Sequence, residues 1–129
     1  MREWKAEARA EVDRIAEKLQ AIGQDLFDHP ELKYEETHAA ELLSKAVREG
    51  GFDVELGVAG LSTAFVATHP SISEGPTVAI LAEYDALPEL GHACGHNLIA
   101  AGALGAAVGR GRGGILPLLS NATFAAAGR

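Results

Sequence analysis

Within the stretch EYDALPELGHACGHNLIAAG, residues 83–102, the only cysteine of the chain, Cys94, stands between His92 and His96. Thiolate and imidazole both ligate Zn²⁺ and similar transition metals, and Cys94 and His96 are separated by a single residue. Gly91 and Gly95 flank the cysteine, so the backbone can turn tightly enough to aim both side chains at one point. Asp85, with Pro88 stiffening the loop after it, is the candidate for a carboxylate that orients a histidine ligand through its other ring nitrogen. Spacing alone leaves two other readings open. A Cys-x-His pair also arises from a buried cysteine beside surface histidines. Cys94 could instead act as a nucleophile whose thiol is activated by His92 or His96, a role that also requires an oxyanion site.

The elements around this stretch are legible by period. Trp4, Ala8, Val12, Ile15, Leu19, Ile22 and Leu26 recur at intervals of three and four, one face of a long amphipathic helix expected over residues 2–27. Pro30 disfavours helical geometry at His29 and ends it. A second helix is predicted from Thr37, as N-cap, with Ala39, Leu42, Leu43, Ala46 and Val47 inward and Gly50-Gly51 as its stop. FDVELGV, STAFVATH and GPTVAILAEY follow as strand-like runs separated by Gly, Ser and Pro. TVAILA is almost wholly apolar and is expected as a central strand buried on both faces. An α/β domain results, its last strand delivering Glu83 and Asp85 to its carboxyl end, where open α/β sheets place ligand sites.

Composition sets the outer limits. The chain has 129 residues and a formal charge of −7, enough for one compact domain. Without a Lys/Arg cluster it lacks the concentrated positive charge that nucleic acid requires. The charged N-terminus lacks the apolar core of a secretory signal, and no run approaches the roughly 20 apolar residues of a membrane span. With one cysteine and no internal disulfide, a reducing, cytoplasmic setting is expected. All 18 acidic residues lie at or before Glu89. After Val108 the sequence becomes GRGRGGILPLLSNATFAAAGR, without helical or strand period.

The whole string AEYDALPELGHACGHNLIAAGALGAA resembles the metal-binding region of metallopeptidase family twenty. The similarity is to its amidohydrolase branch of aminobenzoyl-glutamate hydrolases, aminoacylase-like dipeptidases and auxin-conjugate hydrolases. Upstream, DHPELKYEETHAAELLSKAVREGGFDVE is similar to the opening segment of that family, so the resemblance covers residues 10–108. It implies the truncated N-terminal part of a zinc-peptidase-like catalytic domain: two helices packed on a mixed sheet, then a metal-binding loop and a small-residue helix. In that branch the cysteine and following histidine of HACGH bind a pair of divalent metals. Carried across, Cys94 and His96 are the implied ligands, with Zn, Mn or Co as the metal. Asn97 stands where many members have Asp; members with EYDALP also have Asn, which points to the dipeptidase and aminobenzoyl-glutamate subgroup. The implied reaction is attack of a metal-held water on the amide carbon of an N-acyl amino acid or dipeptide, with a glutamate taking the proton.

The chain departs from that pattern downstream. The family's general-base glutamate, its neighbouring glutamate ligand and two later histidines all follow the HACGH string, and after His96 this chain has no Asp, Glu or His. Residues 1–108 are therefore expected to be a partial catalytic domain, inactive alone, and 109–129 an aberrant or disordered tail such as a shifted reading frame, retained intron or mis-joined gene model produces. Upstream, His38, Glu31, Glu35 and Glu36 are expected as solvated residues near a helix start, while His29 and His69 precede prolines in loops. Glu83 shares the strand end with Asp85 and is a stronger candidate. Besides the cysteine-nucleophile hydrolase, a non-catalytic scaffold or homodimer-forming fragment is the alternative, with the first helix as its contact surface.

Overall fold

The computed structural model describes residues 3–69, 77–109 and 121–126. Helices α1 (Glu3–Arg14) and α2 (Ala16–Asp28) occupy the span expected as one helix. They part at Ile15, with φ −103° and ψ 6°. The Ile15 amide is shared between the Glu11 and Val12 carbonyls at 3.3 and 3.2 Å, a tightening toward the three-residue turn. No Gly or Pro marks the break, so the apolar period runs through it unchanged.

Helix α3 (Thr37–Glu49) buries Ala39, Ala40, Leu43, Ala46 and Val47, as its period predicts. Its start differs from expectation. Thr37 lies inside the helix, Glu36 is the N-cap, and no cap side chain bonds the first turn. Glu31 supplies that function from outside the helix: its two carboxylate oxygens accept from the His38 and Ala39 amides, both at 2.8 Å. A carboxylate there also opposes the positive end of the helix. Glu36, expected in solvent, is fully buried. Its Oε2 accepts from the Thr63 hydroxyl at 2.7 Å, and the Thr63 carbonyl accepts from the Tyr84 hydroxyl. Burial, then the nearby Glu36 and Glu31 charges, push the Tyr84 phenol well above its ordinary range.

Strands β1 (Asp53–Leu56), β2 (Phe65–His69), β3 (Thr77–Ala82) and β4 (Asn121–Ala126) form a mixed sheet in the order β1-β2-β4-β3. β1 and β4 run antiparallel to β2, and β3 runs parallel to β4. Two expectations are corrected here. TVAILA is a border strand of the described sheet, and Thr77, Ala79 and Leu81 are exposed, Leu81 at 71%. Val78, Ile80 and Ala82 alternate inward on the side where helix α4 (His96–Gly109) packs, so among the described residues only one face is covered. The second correction concerns the final segment: residues 121–126, expected to lack regular structure, are β4, inserted between β2 and β3. The remainder of the expected tail, 110–120 and 127–129, lies outside the described residues.

Helix α4 is the hub. It packs on α1, α2, α3 and β3, and its small residues allow that close approach. A Cβ at Gly105 would meet Leu19 at 2.8 Å, one at Gly109 would meet Val12 at 2.9 Å, and one at Gly50, after α3, would meet Val108 at 2.7 Å. A helix surrounded this way is apolar on most sides rather than amphipathic. With Leu26, Leu43, Val47, Phe65 and Tyr84, its Leu104 completes the core.

Candidate metal centre

The loop between β3 and α4 is pinned at both ends. The Ala86 amide donates to the Glu31 carbonyl at 2.7 Å, and Leu32 bridges Ala86 in parallel, so the turn after α2 holds the residue next to Asp85. Leu87 and Gly91 exchange backbone hydrogen bonds of 2.9 and 3.1 Å across Pro88, closing a small loop. Gly91 and Gly95 then adopt φ of 57° and 80°, backbone that residues with a Cβ resist. Between them His92–Cys94 forms one short 3-10 turn that feeds directly into α4.

This path brings Glu83, Asp85, Cys94 and His96 together. Asp85 is the organiser. Its Oδ1 lies 2.8 Å and its carbonyl 3.0 Å from His96 Nδ1, and the same carbonyl lies 3.9 Å from the Cys94 thiol. On the opposite edge of the ring, His96 Nε2 is 3.2 Å from Glu83 Oε2. With Nδ1 committed as a donor to Asp85, the neutral imidazole presents a lone pair at Nε2. A lone pair and a carboxylate at that separation require a cation between them, whether a proton or a metal ion. The side chains of Glu83, Asp85 and His96 are 23%, 12% and 17% exposed, so the pair is largely withdrawn from water yet open on one side. Cys94 is an exposed free thiol. Thiolate, imidazole and carboxylate each suit a borderline-soft divalent ion, though no three of these donor atoms lie within 4.8 Å of one another here.

His92 has a different position. It is buried, 5% exposed, and Nδ1 has no partner. Burial, followed by the neighbouring His96, holds its imidazole below the ordinary histidine range against the opposing pull of Asp85 and a backbone bond at Leu26. His92 is buried while the Cys94 thiol is exposed, and His96 has both nitrogens directed at carboxylates. No hydrogen bond joins either imidazole to the Cys94 thiol among the contacts of the described residues. Asn97 is also buried, and its amide donates to the Gly23 carbonyl of α2 at 3.0 Å, tying the start of α4 to that helix.

Of the upstream candidates, Glu31 caps α3, Glu36 is internal, and His69 stacks edge-on against Phe52. His29 and His38, expected as separate residues, meet at Asp25, with ring centroids 5.0 Å apart. Asp25 reads in the sequence as an ordinary polar position on α2; the one signal that could have found it is its i,i+4 spacing to His29.

No family model matches the chain. Among curated proteins it is 42% identical over 118 residues to the Xaa-Arg dipeptidase of Mus musculus, covering 81% of this chain and 26% of that protein. It is 36% identical over 116 residues to one of the subunits of the p-aminobenzoyl-glutamate hydrolase of Escherichia coli, covering 76% and 23%. The chain thus spans about a quarter of the length of these relatives. Among solved structures, a dinuclear metal-binding peptidase of the M20 family from Bacillus subtilis superposes with a TM-score of 0.74 at 27% identity, over 91% of this chain and 35% of that one.

Proposed function

Because this chain belongs to metallopeptidase family twenty, we propose that Cys94 and His96 are metal ligands and that Asp85 orients His96 from behind, in the N-terminal part of a metal-dependent amidohydrolase. The reaction proposed for the whole protein is hydrolysis of the amide bond of an N-acyl amino acid or dipeptide, the class to which the named relatives belong. The observation that carries this reading is the His96 ring, held at Nδ1 by Asp85 with Nε2 facing the Glu83 carboxylate across 3.2 Å. Zn²⁺, Mn²⁺ or Co²⁺ fits that setting, and two such ions per site fit the dinuclear neighbour. When bound, the metal supplies a polarised water and a Lewis acid for the amide carbonyl.

The residues of this chain have a more limited part in that chemistry. Asp85 fixes the tautomer and ring plane of His96. Between the Gly91 and Gly95 turns, the Cys94 thiol and the His96 ring both approach the Asp85 carbonyl, at 3.9 and 3.0 Å. Tyr84 and Asn97, the sequence neighbours of Asp85 and His96, are buried, and Asn97 ties the start of α4 to α2. No Asp, Glu or His follows His96, so a proton acceptor placed downstream, as the family resemblance implies, is not among these residues. Residues 1–108 are proposed as the family-like unit, and a free thiol ligand fits a cytoplasmic setting. No helix among the described residues is long and apolar enough to cross a membrane.

Cobalt titration tests the ligand assignment. Co²⁺ should produce a near-ultraviolet thiolate charge-transfer band, and Cys94→Ser should abolish it while leaving the far-ultraviolet circular dichroism unchanged. A cobalt spectrum identical in the wild type and Cys94→Ser would overturn the assignment.

A further inference from the structure

We infer that Asp25, His29 and His38 form a second, separate site for a divalent transition ion such as Zn²⁺, at the junction of α2 and α3. One donor atom from each residue lies within 4.8 Å of the others. Asp25 and His29 are one turn apart at the end of α2, and His38 is the second residue of α3. The intervening turn is set by Pro30, by Glu31 capping α3 and by the Leu32–Ala86 bridge. The convergence therefore comes from the fold rather than from loose surface side chains meeting.

Both imidazoles approach one carboxylate oxygen, His38 in a direct bond and His29 as a neighbour whose Nδ1 donates to the Asp25 backbone carbonyl. His38 Nε2 bonds Asp25 Oδ1 directly. His29 Nδ1 lies 3.5 Å from that same oxygen and 2.8 Å from the Asp25 carbonyl. A tetrahedral ion with bonds near 2.0–2.2 Å holds its donors about 3.3 Å apart. The His29 contact is already close to that spacing, while the exposed His38 ring must swing back from its hydrogen bond to Asp25 as the ion replaces the proton, and His29 Nδ1 must exchange its bond to the Asp25 carbonyl for the ion. The side chains are 37%, 60% and 43% exposed for Asp25, His29 and His38, so an ion enters from solvent and the rings can adjust. As isolated His–Asp pairs at this exposure they would contribute little. Two imidazoles on one carboxylate provide three of four tetrahedral ligands, leaving one position for water.

The donor chemistry selects the ion. Two nitrogens and one oxygen favour Zn²⁺, Co²⁺, Ni²⁺ or Cu²⁺ over Mg²⁺ or Ca²⁺, which take oxygen shells. The other nearby carboxylates are already engaged, Asp28 by Gln24 and Glu31 by the α3 amides. None of the three donors belongs to the Cys94 site, and the new site contains no thiolate. A bound ion would staple α2 to α3 around the turn whose Glu31 carbonyl holds Ala86. Its role is bracing.

The test uses the full 129-residue chain with Cys94→Ser, so that no thiolate competes for the ion, and reads the site through the His29 and His38 rings themselves, apart from His96. Zn²⁺ is titrated while the imidazole resonances are followed by NMR. The His29 and His38 signals should shift together and saturate at one ion per chain, Mg²⁺ should leave them in place, and His29→Gln should weaken binding roughly tenfold or more. His29 is the more exposed ring, which makes this variant the one least disturbing to the fold; His38→Gln should show the same loss. Unmoved His29 and His38 signals at stoichiometric Zn²⁺ would overturn the inference. So would undiminished affinity in His29→Gln, or one ion per two chains, which would place the site between copies.

Discussion

Asn97→Asp is a nearly isosteric change at a place where many members of the family carry aspartate, yet in this chain it should be costly. The Asn97 side chain is 6% exposed and donates to the Gly23 carbonyl at 3.0 Å. An ionised aspartate has no donor, so the substitution loses about 1 kcal/mol of hydrogen bond and sets two oxygens against each other in a buried place, which costs about 1–3 kcal/mol more. The first turn of α4 offsets part of this, about 0.5–1 kcal/mol, because its amides favour a negative charge. The net expectation is a loss of about 1–3.5 kcal/mol at neutral pH. With a urea slope of about 1–1.5 kcal/mol/M for a chain of this size, the unfolding midpoint should fall by about 1–3 M. The pH dependence is diagnostic. A carboxyl that must protonate to donate has a folded pKa above its unfolded value of about 3.9. The penalty is therefore complete above the folded pKa and vanishes as pH falls toward the unfolded one. The wild type minus variant difference should shrink on acidification. Equal midpoints at neutral pH, or a difference that grows in acid, would refute the donor role of Asn97.

Gly50→Ala should destabilise by about 1–3 kcal/mol, since its Cβ would lie 2.7 Å from the stiff Val108 side chain and 3.1 Å from the Val47 carbonyl; thermal unfolding that matches the wild type would show that α3 and α4 can separate without penalty. His92, kept below the ordinary histidine pKa chiefly by burial, is neutral when folded and charges more readily when unfolded. Its contribution to stability should be full above about 6.5 and be lost progressively as pH falls from there through the lower folded value. The drop in urea midpoint between pH about 7.5 and about 5.5 should be smaller in His92→Phe than in the wild type; an equal drop would mean that another group carries the dependence.

The elements that sequence reasoning places well are those whose partners lie nearby in the chain. The Ala39, Leu43, Ala46 and Val47 face of α3 follows from a period of 3.6 and is buried as that period demands. The meeting of Asp85 with His96 follows from a strand end, a glycine-flanked turn and a helix start within a dozen residues. Glu36 shows the opposite case. Its partner Thr63 is 27 residues away, and nothing local distinguishes it from Glu35, which stays in solvent. The cluster of Asp25, His29 and His38 is equally invisible in the sequence, because it depends on how α3 doubles back against the end of α2.

Strand β3 shows why an apolar run does not by itself reveal its place in a sheet. TVAILA contains five residues that tolerate burial, so it fits a strand covered twice. Among the described residues it is covered once. Val78, Ile80 and Ala82 alternate inward on the side that packs on α4, while Leu81 points away and is 71% exposed. Burial on both faces needs a second layer, and the residues that would form it are specified elsewhere in a chain, not in the strand. The same strand carries the site just past its end: Glu83 and Asp85 follow Ala82 and bracket the His96 ring, Glu83 at Nε2 and Asp85 at Nδ1. Those contacts are local, made within a short stretch of chain. The His96 contacts at 2.8 and 3.2 Å therefore depend on the strand end and the glycine turns, while the exposure of Leu81 depends on the layer beyond.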